Sequence, residues 1–133
     1  MEIPKGQKSY ELNSSVVWIS HEGIVYTTPR KDAPLEQSND EIRAEMIRLV
    51  EIIGNNKVCI VSESNPKAKP LKKEQRDFVA DQINSVVKSM AIVTSSPVSR
   101  MMANLFFNFK PPAYPVKMFS NEPEAIAWIR QYL

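Results

Sequence analysis

Cysteine and histidine are nearly missing from this chain: each occurs once, as Cys59 and His21. A single cysteine cannot build a disulfide framework. One of each leaves too few ligands for a zinc or iron–sulfur site, so no metal and no other cofactor is expected. Glycine is scarce too, at 3 residues, which leaves no Gly-rich cradle for phosphates. No apolar run approaches the roughly 18 residues that cross a bilayer, so no integral membrane segment is expected. The stretch from Met1 to Lys8 has no apolar run behind its positive charge and is not a signal peptide. Glu2 stands where myristoylation needs glycine, and Tyr132-Leu133 at the other end offers no prenylation cysteine. The expected setting is the cytoplasm, with residues 1–8 flexible. A strong excess of one charge is also lacking. The net charge is +2, which gives no support to a nucleic-acid binder of the basic kind.

What is present is an ordinary globular composition, 43% hydrophobic and 24% charged over 133 residues. The composition does not shift along the chain, and no repeat or long linker divides it, so residues 1–133 are expected to form a single domain. At this length folding removes roughly two-thirds of the unfolded chain's surface from water, enough for a core without staples.

Hydrophobic periodicity orders the elements. Val16–Ile19 and Gly23–Thr28 read as two strands of a hairpin around Ser20-His21-Glu22, and Tyr10 and Leu12 alternate as an earlier strand would. Ser38 and Glu41 make a capping box for a helix that carries Ile42, Met46, Leu49 and Ile53 on one face and stops at Gly54. Lys57–Val61 is a short buried strand, and residues 62–70 read as a loop. A second helix is expected from about Lys72 to Lys88 with Phe78, Val79, Ile83, Val86 and Val87 inward, followed by a buried strand over Met90–Thr94. Ser96 and Pro97 begin a third helix, since proline suits the first helical position after a serine cap. Tyr114–Phe119 is a last strand, and a helix capped by Ser120 or Asn121 packs Ala125, Ile126, Trp128, Ile129 and Tyr132. A hairpin followed by alternating strands and helices defines an α/β layer fold with right-handed crossovers.

Three stretches taken together carry a likeness: Met90-Ala91-Ile92-Val93-Thr94-Ser95-Ser96-Pro97-Val98-Ser99-Arg100, then Pro115-Val116-Lys117-Met118-Phe119-Ser120, then Glu124-Ala125-Ile126-Ala127-Trp128-Ile129. They resemble the STAS/SpoIIAA-like proteins of bacteria, in a poorly characterised branch. The likeness runs from about Val16 to Leu133, mainly through element order. It implies a mixed β-sheet with about four helices packed on it. It also implies a non-catalytic regulatory module that acts through contacts with a protein partner. In the anti-sigma-factor antagonists of that family, a serine in a short loop at a helix N-terminus is phosphorylated by a partner kinase. Related CRAL-TRIO-like sheets hold lipids or other apolar molecules, so a carrier of such a molecule is the alternative. The switchable members place an Asp-Ser pair after a buried strand. Here that loop reads Ser62-Glu63-Ser64-Asn65-Pro66, without the pair.

Three groups of residues are candidates for function. Ser62, Ser64 and Asn65 form the expected partner or phosphorylation loop. Ser95, Ser96, Ser99 and Arg100 join a strand end to a helix start, where free N–H groups and a cation favour an anion or a partner; an ordinary serine cap with a surface arginine is the preferred reading. Met102, Phe106, Phe107, Phe109 and Tyr114 would offer an apolar ligand surface or a homodimer contact, with core packing as the more ordinary role. The remaining features read as structural. His21 is a solvated turn residue, Cys59 a core residue, and the basic run Lys67–Lys73 a solvated loop. Glu63 and Glu74 have no recognisable partner, and no enzyme is expected.

Overall fold

The computed structural model describes residues 1–101 and 111–133. Its strands are β1 (Tyr10–Glu11), β2 (Ser15–Ile19), β3 (Val25–Pro29), β4 (Val58–Glu63), β5 (Val87–Val93) and β6 (Val116–Phe119). Helix α1 (Asn39–Ile53) joins β3 to β4, and α2 (Lys73–Asn84) joins β4 to β5. A third helix, α3, is described over 97–101. Helix α4 (Glu122–Ile129) runs into a 3₁₀ turn, Arg130–Tyr132.

The six strands lie side by side in chain order. β1, β2 and β3 pair antiparallel, while β3–β4, β4–β5 and β5–β6 pair parallel. The N-terminal hairpin and the alternation of strands and helices are those the hydrophobic pattern predicts, and the sheet is mixed, as the resemblance implies. Local chemistry explains the boundaries. Gly23 supplies the positive φ of the hairpin turn, and Gly54 does the same at the end of α1. The capping box at the start of α1 is formed in both directions: the Glu41 N–H donates to Ser38 Oγ at 3.1 Å, and the Ser38 N–H donates to Glu41 Oε1 at 3.0 Å.

Two predicted boundaries move. β4 extends two residues beyond Val61, so Ser62 and Glu63 are strand rather than loop. They stay extended because Ser62 is registered with Thr27 on one side and Ile92 on the other. Helix α2 ends at Asn84, and Val87 to Ser89 belong to β5. Val86 and Val87 are β-branched, and the Val86 carbonyl accepts from the Val58 N–H at 2.9 Å, which draws this segment into the ladder. Residues 1–8 are held at two points rather than loose. The Met1 ammonium meets Glu63 at 2.9 Å, and the Gln7 amide donates to the Ile19 carbonyl at 3.1 Å.

With strands in chain order, successive crossovers of one hand place their helices on the same face of the sheet. Accordingly α1 and α2 share a core with one face: Ile42, Met46 and Leu49 meet Val17, Val25, Ile60 and Met90, with Phe78, Val79 and Ile83 against them. The opposite face is covered by α4, whose Ala125 and Ile129 pack on Trp18, Tyr26, Cys59, Val61, Ala91 and Phe119. Alternate residues of β4 therefore serve opposite cores. Cys59 is buried in the second, where it accepts from Ser89 Oγ at 3.1 Å. At the hairpin tip His21 is exposed, and its neighbour Glu22 receives a bidentate pair from Arg130 at 3.0 and 3.1 Å.

Ile129 is fully buried and should cost about 2–5 kcal/mol when truncated to Ala, through lost contacts and a residual void. Ile47, which is 47% exposed on α1, should cost about 0.5 kcal/mol or less on the same change. Urea denaturation of the two variants at neutral pH checks the difference.

Candidate functional site

Parallel strands put all their carboxyl ends at one edge. β3, β4, β5 and β6 end at Pro29, Glu63, Val93 and Phe119, and the residues that follow form a rim. A cleft of about 500 Å³ lies there, lined by Arg30, Lys31, Ser64, Asn65, Lys67 and Ser95, among others. Of the two predicted serine groups, Ser64, Asn65 and Ser95 line this cleft, while Ser62, Ser96, Ser99 and Arg100 do not. Open α/β sheets bind ligands at this edge, at a point where the strand order reverses. Here the order never reverses, so the crevice used by dinucleotide-binding folds has no counterpart in this sheet.

Backbone bonds fix the rim. The Ser64 N–H donates to the Val93 carbonyl at 3.0 Å, and the Thr94 N–H donates to the Phe119 carbonyl at 2.9 Å. Asn65 Oδ1 accepts from the Lys67 N–H at 3.0 Å, which shapes the turn after β4. Ser96 caps α3 by accepting from the Ser99 N–H at 3.2 Å. Arg100 folds back and donates to the Thr94 carbonyl at 3.1 Å. These bonds engage part of the donor set at this corner in a serine cap and an arginine-to-carbonyl contact. Ser95 alone of the four is exposed.

Charge on the rim is mixed. Arg30 is committed to the Leu12 carbonyl and to Asp32, both at 3.1 Å. Lys31 and Lys67 are exposed beside the cleft. Glu63 lies at the shared border, where it accepts from Thr28 Oγ and from the Met1 ammonium. Burial pushes its carboxyl up, but the Thr28 hydroxyl and the terminal ammonium together outweigh burial and hold it below the ordinary carboxylate value.

Behind the rim, between the sheet and helices α1 and α2, lies a cavity of about 440 Å³. Its walls are mainly apolar: Leu12, Ile42, Met46, Leu49, Ile60 and Met90. It shares Pro29, Leu35, Glu63, Ser64 and Asn65 with the rim cleft, so the two spaces are contiguous. The side chains of Thr27 and Ser62 meet at 2.8 Å on its sheet wall. Glu45 stands at another wall, where it accepts from Ser14 Oγ at 2.7 Å, Ser15 Oγ at 2.9 Å and the Ser14 N–H at 3.1 Å. Sequence reading nominated Ser62 as a loop residue; the structure makes it part of this wall, half-buried. It missed Thr27 and Glu45 altogether. Nothing along the chain marks them, because their partners are 35 and 31 residues away.

The predicted apolar surface is only partly visible. Met102, Phe106, Phe107 and Phe109 lie outside the described residues. Tyr114 packs against the α1/α2 core, where burial pushes its phenol up to about 12. Glu74, on the first turn of α2, accepts from Asn39 at 2.9 Å. Among the described residues no group of histidine, cysteine and carboxylate side chains could hold a metal ion. No helix among them is long and apolar enough to cross a membrane.

Comparison with known families is now informative. Residues 17–133 match a family described as a domain of unknown function, DUF7793. The chain belongs to the DUF7793 family. The DUF7793 match takes in both rim corners and most of the cavity wall. No curated protein matches the chain. Among solved structures it is similar to a protein with unknown function from Arthrobacter sp. FB24, at 18% identity, with 86% of this chain and 92% of that one covered and a TM-score of 0.29.

Because the Glu63 carboxyl is held low, its contribution to stability is present above the ordinary value of 4.5 and is lost as pH falls through the folded-state value. Glu63→Gln should therefore lose on the order of 1 kcal/mol at neutral pH, a modest figure for a partly exposed pair. That deficit should shrink as the pH drops below 4.5. Urea midpoints for both proteins across an acid pH series test it, and a deficit independent of pH would contradict the assignment.

Proposed function

We propose that this DUF7793 protein is a non-catalytic binding module that recognises a protein partner through the rim at the carboxyl ends of β4 and β5. The observation that carries the reading is the juxtaposition of the two serine corners, Ser64-Asn65 and Ser95, across one surface cleft. The wall around them is held by backbone hydrogen bonds, so a partner meets a preformed surface and loses little entropy in ordering it. Lys31 and Lys67 favour an acidic contact. The resemblance of the sequence to STAS/SpoIIAA-like proteins supports regulation as the purpose of such contacts. Ser95 is the serine best placed to act as a switch, since it is exposed while Ser62 and Ser96 are engaged in side-chain hydrogen bonds. A phosphate there would add about −1.5 to −2 charges facing the cleft lysines.

A second reading, carriage of an apolar small molecule, is favoured by the cavity of about 440 Å³ behind the same rim. This volume falls within the range of about 300–1,000 Å³ usual for ligand pockets.

A photo-crosslinking side chain placed at Lys67 should capture a partner in cells, while the same group at Ile47 on the outer face of α1 should not. The mass of the adduct distinguishes a foreign protein from a second copy of this chain. Equal yields at the two positions, or none at Lys67, would remove the rim as the recognition surface. Incubation with cell extract and ATP, followed by intact mass, tests the switch: no gain at Ser64 or Ser95 leaves recognition without phosphorylation.

A further inference from the structure

We propose that the cavity between the sheet and helices α1 and α2 binds an uncharged apolar molecule bearing one hydrogen-bond acceptor oxygen, which is received by the Thr27–Ser62 hydroxyl pair. This rests on the second reading above, deepens it by naming the ligand class, and excludes the fatty-acid class that an apolar cavity first brings to mind.

Charge decides the first point. The ionisable side chains of the lining are Glu36, Glu45, Glu63 and Lys69. Among the described residues of the lining the one cation is Lys69, which is paired with Glu36 at 3.2 Å. The described lining therefore leaves no unpaired cation for a carboxylate or phosphate, and its other carboxylates would repel one. Moving an anion from water into an apolar enclosure without a partner is strongly unfavourable. An uncharged molecule meets no such barrier.

Hydrogen-bond accounting decides the second. Thr27 and Ser62 carry two hydroxyl protons between them, and their mutual bond at 2.8 Å uses one. Whichever residue donates, the other keeps a proton for which the described residues supply no acceptor. The same cavity is lined by Ile60 and Met90 from the sheet and by Met46 and Leu49 from α1. A half-buried donor without a partner favours a ligand that brings one, such as an ester, ketone or amide oxygen. Glu45 does not compete for this role as an acceptor site, because Ser14 and Ser15 already donate to it three times. The connections at 34–37 and 68–71 border the cavity and are joined by the Lys69 N–H donating to the Leu35 carbonyl at 2.7 Å. Leu35 stays 53% exposed while lining the cavity, an apolar contact offered to an entering molecule.

The test uses the whole protein with methyl octanoate and octanoate as matched probes, read by NMR of Met and Ile methyl groups. Methyl octanoate should shift Met46, Met90 and Ile60 while leaving Ile129 on the opposite face unmoved. Octanoate should bind at least about ten-fold more weakly, since its charge finds no partner. The double variant Thr27→Val with Ser62→Ala removes both protons and preserves most of the volume. It should keep the methyl spectrum of the folded protein and bind the ester about five-fold more weakly, the usual worth of one net hydrogen bond. Octanoate binding as tightly as the ester in the cavity would overturn the ligand class and leave the carrier reading standing. No shift of the cavity methyls by either probe would overturn both. Undiminished ester binding by the double variant, or shifts confined to the α4 face, would overturn the assigned site.

Discussion

The parallel pairing of β3, β4, β5 and β6 in chain order is the constraint on which the rest of the molecule depends. It brings four strand ends to one edge. It also sends α1 and α2 to one face and leaves the other face for α4. The pairing is held by apolar residues that alternate along each strand: Ile60 and Met90 feed one core, while Val61 and Ala91 feed the other. A strand buried on both faces cannot slip by one residue without exchanging its two cores, so the register is well determined. The rim inherits that precision, since its serines stand one or two positions past residues whose register is set.

The two spaces near this edge have different chemistry because different segments wall them. The rim cleft is bordered by turns, where exposed lysines and serines cost nothing. The cavity is walled by the inner faces of the sheet, α1 and the connections at 34–37 and 68–71. Several of its polar groups bond one another, as the Glu45 cluster shows. The Thr27–Ser62 pair has one hydroxyl proton more than the described residues accept. Both spaces border on Glu63, a strand-end carboxylate held by Thr28 and Met1, so an event in one lies close to the other.

Much of the fold was legible along the chain. The Ser38/Glu41 capping box, the Gly54 stop, the hairpin around Gly23 and the Asn121 cap are local signals, decided within a few residues. The errors fell where long-range pairing overrode local pattern. Val86 and Val87 fit the apolar stripe of α2, yet hydrogen bonding to β4 took them into a strand. Ser62 and Glu63 look like loop residues, yet ladders on both sides keep them extended. Of the residues named along the chain, Ser64, Asn65 and Ser95 line one cleft, while the cavity and its hydroxyl pair were not foreseen.

The amino-acid sequence alone determined the element order, the helix caps and the α/β class. These follow from periodicity, turn chemistry and composition, each of which acts over neighbouring residues. Only the tertiary structure decided that Thr27 faces Ser62, that Ser14 and Ser15 donate to Glu45, and that an apolar space lies behind the rim. Those are contacts between segments 30 or more residues apart. Their geometry is set by sheet register and helix packing, which no local pattern encodes.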